Sequence, residues 1–539
     1  MAASSRICVV TSMGWGVRNV LMSRAMDVLR SRCEIRILSP FNRLSAFSER
    51  FAHLDGLDFL VEEKPNRLTM LLYHLNSLIF YKLSSSVTHR YKLQSDAVSR
   101  RGRLKKLAEW LGNQRTLRLT RWLLLKIYRR SDVYARYKRY FVEKGIDTVV
   151  TSNPLNVLEY PALIAARDLG LRTIAIITSW DNLTSKRPLV IDFDEYLVWN
   201  DVMAAEVVQF CGADRRIRQI GPLQFDFYFD DRFLADRESF CAQFRFDPGR
   251  KLVVYSTVTD ALLPDEPALV EKLLLALKAG RIEGSPNLLV RLHPKRDFEA
   301  FRPLSEDRRF DGMRVAWTVA GRPVREKNDR WCPLDDEIRL LTNTVRHGDV
   351  NLNVFSTMLL DFAVLDKPAV LIGHTSDDRR LHYENYEHFR PVLACNGHRI
   401  GRCLEETIAH LNAYLREPEL ERDGRRALVR IQGGEFLGRS WQRLAEVILG
   451  RPIPGEAPDG PGAGGSTGPA AHESPLAAEG LSNLTPRRPP WSPKVEGDDV
   501  VRQPASRLTI LERVDDAIEA RDPVGERRPP GGRGPDELL

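Results

Sequence analysis

The chain has 539 residues, 43% hydrophobic and 28% charged, with a net charge of +8. That is enough chain for two or three domains with full cores, and no apolar run reaches the about 18 residues that a membrane-spanning helix needs. The seven cysteines are scattered with no C-x-x-C pair, which argues against a disulfide framework or a zinc site and for a reducing compartment.

The opening stretch, MAASSRICVVTSMGWG, contains only the short apolar run Ile7 to Val10. It lacks the basic start and long apolar centre of a secretory signal, so RICVVT (6–11) is expected as a first buried strand. Met13-Gly14-Trp15-Gly16 follows, either as a plain tight turn or as a ligand loop. Val17, Val20, Leu21, Ala25, Val28 and Leu29 then keep helical spacing and predict a helix whose N-terminus could face an anion. EIRIL (34–38) is the next strand, and the β-α-β order implies a parallel sheet.

Long helical segments over 65–143 interrupt this rhythm. Residues 64–144 hold 20 Lys and Arg against 4 Asp and Glu. This local +16 leaves −8 for the remainder and points to an anionic partner surface. Within it, over 103–130, Arg103, Lys105, Lys106, Arg115, Arg118, Arg121 and Lys126 interleave with Leu107, Trp110, Leu111, Trp122, Leu123 and Ile127. Such helices either lie on an anionic membrane surface or pack on a core with a solvated basic face. No nucleic-acid recognition motif accompanies the charge, so no nucleic-acid partner is expected.

The strand rhythm resumes with DTVVT (147–151), TIAIIT (173–178) and EYLVW (195–199). A second series follows a junction near Gly221-Pro222: KLVVYST (251–257), NLLVRL (287–292), MRVAW (313–317), VNLNVF (350–355) and PAVLI (368–372). Helices are expected at 404–417 and 436–449. The fold class is therefore α/β, with two open units. Residues 1–221 form an N-terminal Rossmann-like domain with a basic helical insertion at about 64–144, and 222–451 form a C-terminal one. Residues 452–539 are rich in Pro and Gly and are expected to be disordered, with a transient helix at 506–520.

Ligands of open parallel sheets bind beyond the carboxyl ends of the strands. Besides Gly14 and Trp15, three polar stretches lie at such ends. "SWDNLTSK" (179–186) brings Trp180, Asp181, Asn182 and Lys186. It is either an Asx turn with Trp180 packed on the sheet, or a cleft wall with Asp181 as a base and Asn182 and Lys186 on substrate. Arg291 and His293 end a strand stopped by Pro294; His293 either caps a neighbouring carbonyl or joins Arg291 on a phosphate. Asn353, Ser356, Thr357 and Asp361 surround a helix start that could cradle phosphate, with Ser356 also readable as a simple N-cap. His374, His382 and His388 fit no common metal spacing, and a lone Asp192-Phe-Asp194 is weak evidence for a metal.

Taken in order, Arg18-Asn19, "SWDNLTSK", "IGPLQFD" (220–226), "VRLHP" (290–294), "NVFSTMLLDFAVLDKPAV" (353–370) and "GRSWQRLAEVI" (438–448) resemble GT-B glycosyltransferase-like proteins of bacterial surface-polysaccharide biosynthesis. These are distant relatives of the CDP-glycerol glycerophosphotransferases. The resemblance covers roughly residues 1–450 and implies two Rossmann-like domains facing across a cleft. The C-terminal domain would hold a nucleotide-sugar, with its diphosphate near Arg291, His293, Asn353, Ser356, Thr357 and Asp361. The N-terminal domain would hold a saccharide or lipid-linked acceptor near Gly14, Trp15, Arg18, Asn19, Trp180, Asn182 and Lys186.

Asp181 would be the base and His293 would aid the leaving diphosphate. Glycerophosphotransferases carry Trp-His-Gly where this chain has Trp180-Asp181-Asn182, which disfavours glycerol-phosphate transfer. The resemblance implies no cofactor and no resident metal; the scattered cysteines and the basic helices together lead to the expectation of a cytoplasmic protein peripheral to the membrane's inner face. A polyol-phosphate transferase and a non-catalytic nucleotide-sugar-binding protein remain as alternatives. A nucleotide-sugar epimerase on the same fold is disfavoured, because the sequence shows no acidic and histidine cluster of the kind that its chemistry needs.

Overall fold

A computed structural model describes residues 5–61, 65–95, 102–212, 216–260, 262–319 and 331–451. The Pro- and Gly-rich tail and the 506–520 helix lie outside the described residues.

The first sheet comprises β1 (Arg6–Val10), β2 (Glu34–Ser39), β3 (Gly56–Phe59), β4 (Thr148–Thr151), β5 (Arg172–Ile176), β6 (Glu195–Val198) and β7 (Arg216–Gln219). They lie side by side as β3-β2-β1-β4-β5-β6-β7, every pair parallel. The second sheet comprises β8 (Leu252–Ser256), β9 (Asn287–Leu292), β10 (Val315–Val319), β11 (Val350–Asn353), β12 (Ala369–Ile372) and β13 (Arg399–Gly401). Its order is β10-β9-β8-β11-β12-β13, again all parallel. Both are doubly wound: strand order reverses between β1 and β4, and between β8 and β11. The crevice beyond the carboxyl ends at such a reversal is where open sheets take ligands.

The central strands are apolar on both faces because helices cover both sides; β4, β6, β8 and β9 are buried along their whole length. Three strands escape the sequence reading: β3, β7 and β13. Each sits at a sheet edge with a single neighbour, and β7 (Arg-Ile-Arg-Gln) is only half covered. β10 lies two residues later than expected.

The helix expected across 17–29 is divided. A turn at Gly14–Gly16 leads into a π turn over Val17–Leu21, and the regular helix begins only at Arg24, where Ser23 caps the Ala25 amide. Ser23 thus caps one amide of the regular helix, whereas the turn that opens at Gly14 has no side-chain cap.

The basic insertion forms helices Arg67–Leu83, Val87–Ser95, Gly102–Leu111, Gln114–Tyr128 and Asp132–Lys144. Asn113 and Thr116 close a capping box on the fourth. The last helix, Ser440–Leu449, returns to the first sheet. Leu444, Ala445 and Ile448 pack into the core with Ile7, Ala25 and Leu29, and Arg172 donates to the Val447 and Ile448 carbonyls. Asp226 accepts from the amides of Ser440 and Trp441 and so caps that helix from the connection between the sheets. No described helix is long and apolar enough to cross a membrane.

Candidate active site between the two sheets

The carboxyl end of β1 meets the carboxyl end of the second sheet. Gly14 allows this approach: a Cβ there would lie 2.1 Å from the Trp331 carbonyl oxygen and 2.7 Å from its ring. At Gly16 a Cβ would lie 2.0 Å from the Ser152 hydroxyl oxygen. The two glycines thus serve close packing of chain on chain. Trp15 lies 4.5 Å from Trp331 and 6.3 Å from His293 between ring centroids. The Arg18 guanidinium stands 5.2 Å from the Trp15 ring centroid and donates to Asn19 at 2.8 Å and Gln224 at 3.3 Å. Burial lowers the pKa of Arg18, and Asp361, from the second sheet's side, opposes that shift.

His293 follows β9. Its backbone amide donates to Thr257 at the end of β8, and its Nδ1 accepts from the Lys295 amide at 3.1 Å. Burial, reinforced by Lys295, Arg291 and Arg296, pushes its pKa down to about 3. A neutral imidazole with Nδ1 engaged carries its proton on Nε2. His293 therefore carries one N–H donor and no charge. Arg291, two residues earlier, is buried, has an unpartnered Nε and stands 3.8 Å from Glu337.

The 353–361 stretch divides its roles. Asn353 is fully buried, donates to Asn351 at 2.6 Å and accepts from the Ser356 amide at 2.7 Å, so it shapes the turn. Phe355 takes a left-handed φ of 48° there. Ser356 accepts weakly from the Met358 amide at 3.4 Å. Thr357, half-buried at the head of helix Met358–Val364, caps nothing with its hydroxyl. Asp361, one turn further on, feels the charges of Arg18 and Arg291. It accepts from the Tyr228 hydroxyl at 2.6 Å, and burial raises its pKa.

In 179–186, Asp181 accepts from Ser179 at 2.6 Å and Ser185 at 2.9 Å and lies 3.4 Å from the Lys186 ammonium. Burial pushes its pKa up, but Lys186, His388 and the two hydroxyls outweigh that and hold the carboxyl well below the usual range. Asn182 accepts from the Ser179 amide three residues earlier and so closes the turn from its far end. Trp180 is buried edge-on against His388 and Phe389, each 5.0 Å away. The stretch is thus both a self-bonded turn and part of the contact between the two halves.

Glu387 and His388 from the second half, with Glu206 from a helix of the same half, join Asp181 in an acidic and histidine cluster that linear order conceals. Glu206, from helix Asp201–Cys211, is buried with an unpartnered Oε2, and burial together with Asp181 and Glu387 pushes its pKa up to about 8. Glu387 accepts from the Val87 amide at 3.0 Å. His388 is driven down to about 4 by burial. Asp181 and Glu206 are neighbouring carboxyls pushed in opposite directions, one ionised and one protonated at neutral pH, which is how a site separates base from acid.

Glu206 also yields a stability prediction. Its folded pKa lies above its unfolded value, so stability is lost as pH rises from the ordinary carboxylate range towards about 8. Glu206→Gln removes this loss. Its melting temperature relative to wild type is expected to climb across that window, and a pH-independent difference would count against the buried proton.

The aspartates of 192–194 are structural. Asp192 pairs with Arg121 at 2.5 Å, and Asp194 accepts from Thr173 twice at 2.7 Å. His374 bonds Thr375 and Thr407. Among the described residues no three His, Cys, Asp or Glu side chains gather as metal ligands. Gln224, Tyr228, Glu206, Glu337 and Glu387 were missed by sequence reading; only "IGPLQFD" hinted at the first.

No protein-family model matches the chain, and no curated protein does. Among solved structures, it is similar to a UDP-N-acetylglucosamine 2-epimerase at 11% identity, covering 85% of this chain and 99% of that one with a TM-score of 0.50. A Listeria monocytogenes protein given the same name provisionally aligns at 10% identity over 84% of this chain and 99% of that one, with a TM-score of 0.51. Identities this low speak for architecture alone; together with two doubly wound, all-parallel sheets facing one another, they place the chain in the GT-B fold.

Proposed function

We propose that this protein transfers a sugar from a nucleotide-sugar to a hydroxyl acceptor, a saccharide or lipid-linked glycan of cell-surface polysaccharide or glycolipid synthesis. One observation carries the reading. Beyond the β8–β11 reversal, His293 is tied to Thr257, Thr357 has a free-standing hydroxyl, and Trp15 closes over from the other half. Open sheets take ligands at such a reversal, and these donors would suit a diphosphate bound there. The acceptor hydroxyl would give its proton to the Asp181 carboxylate as its oxygen bonds the anomeric carbon. The bond from that carbon to the diphosphate breaks and its electron pair leaves with the diphosphate. Arg291, the His293 Nε2–H and the Thr357 hydroxyl would meet the charge developing there. The reading needs no resident cofactor or metal, and donor binding in a chelator should be unchanged.

A second reading is epimerisation of the donor sugar, favoured by the carboxyl and imidazole groups of Asp181, Glu206, Glu387 and His388. Incubation with nucleotide-sugars, followed by proton NMR, separates the two. Transfer needs an acceptor and releases nucleoside diphosphate, whereas epimerisation gives an isomeric sugar without one. Neither product from any donor would defeat both readings.

Thr357→Ala removes a hydroxyl without breaking a cap. A hydrogen bond to a charged group is worth roughly 1.5–3 kcal/mol, so nucleoside-diphosphate affinity is expected to fall about tenfold or more. Ser356→Ala, losing only a long cap, should also weaken binding, but less. Calorimetric titration of both variants checks this; unchanged affinity in Thr357→Ala would remove the cradle from the site.

A further inference from the structure

We infer that the outer face of helices Gly102–Leu111 and Gln114–Tyr128 is a docking surface for an anionic phospholipid membrane. Both helices pack inward on helix Arg67–Leu83. Ala108 is buried with Leu78 and Ile79, and Asn76 holds Thr120. Leu124 and Tyr128 enter the main core. The inward faces are thus already satisfied, yet large apolar side chains remain outside. Trp110 is 81% exposed, Trp122 52%, Leu119 52% and Leu107 37%. A lone exposed leucine needs no explanation, but two indoles on adjacent helices, each with a leucine one turn before it, do.

Charge identifies what covers them. On helix Gln114–Tyr128, Arg115, Arg118 and Lys126 are exposed in the same stripe as Leu119 and Trp122, and the helix contains no acidic residue. Lys126 lies 4.7 Å from the Trp122 ring centroid. On helix Gly102–Leu111, Arg103 and Lys106 are exposed on the stripe of Leu107 and Trp110. Indoles and leucines interspersed with cations suit the boundary between acyl chains and anionic headgroups. Nucleic acid would use the cations but not the leucines. A protein groove would need a matching acidic surface, whereas a bilayer supplies both parts of the pattern.

The test uses the full chain and vesicle flotation, with phosphatidylcholine alone or mixed equally with phosphatidylglycerol. No donor or acceptor is present, so its outcome is independent of the proposed transfer. Wild type is expected to float with the anionic vesicles and not with the neutral ones. Trp110→Ser with Trp122→Ser should weaken binding roughly tenfold or more. Arg115→Ser, Arg118→Ser and Lys126→Ser together should weaken it about a hundredfold. These side chains are exposed, so melting temperature should not move in either variant. Equal binding to both vesicles, binding to neither, or full binding by the tryptophan variant would overturn the proposal. So would transfer RNA binding as tight as vesicle binding and indifferent to the tryptophans.

Discussion

Asp181→Asn is expected to lower turnover by about 10²–10⁴-fold, the usual contribution of a general base, while nucleotide-sugar affinity stays within a few-fold. Asn keeps the size of the side chain and can still accept from Ser179 or Ser185, the hydroxyls that orient the carboxylate at 2.6 and 2.9 Å. It loses the proton acceptor and the ion pair with Lys186. The residues assigned to the donor, Arg291, His293 and Thr357, belong to the other sheet and keep their own bonds. The depressed pKa of Asp181 makes its carboxylate a weak base, so in the proposed transfer it would take the proton only as the diphosphate departs. Turnover and donor affinity on the same folded variant decide the matter. Turnover within about threefold of wild type would make Asp181 a turn-forming residue, and Glu206→Gln would then be the variant to assay.

Arg18→Met is expected to be the most damaging single change to stability. Arg18 is 7% exposed and joins four parts of the chain: the Trp15 and Trp331 rings, Asn19, Gln224 on the connection, and the Asp361 charge on the second sheet's side. Removing one partner of a buried charged pair costs about 3–5 kcal/mol, largely because the other charge is stranded. Asp361, whose pKa burial already raises, would keep only the Tyr228 hydroxyl and the Arg291 charge to offset its burial. The same reasoning gives a rescue. Asp361→Asn in the Arg18→Met background should recover part of the loss, and the deficit of Arg18→Met alone should shrink in acid, where Asp361 takes up a proton. Denaturant unfolding of the four proteins of this double-mutant cycle measures it; strict additivity would show that Arg18 and Asp361 do not act as a pair.

The central strands were legible because burial on both faces writes a continuous apolar run: Asn287–Leu292 has the bounds read from NLLVRL. Edge strands were not, because one neighbour and a half-covered face leave sequences such as Arg-Ile-Arg-Gln without that run. The π turn at Val17–Leu21 was hidden because its apolar residues mimic one unbroken helix. In the site, Asn353 and Asn182 were legible as polar residues at strand ends, but sequence could not tell a side chain that bonds its own turn from one turned to a ligand. Glu206, Glu387 and His388 were unreadable as partners of Asp181, since only tertiary contacts join them, Glu206 from a helix of the same half and Glu387 and His388 from the other. Tyr228 was hidden for the same reason, its hydroxyl meeting Asp361 across 133 positions of chain.

The most direct measurement is calorimetric titration of the full chain with a panel of nucleotide-sugars and their nucleoside diphosphates, alongside the corresponding nucleosides. The account predicts saturable binding of one nucleotide-sugar and its diphosphate, no comparable binding of the nucleoside, and about tenfold or greater weakening by Thr357→Ala. Binding of the nucleoside as tight as that of its diphosphate, or no binding of any member of the panel, would contradict it.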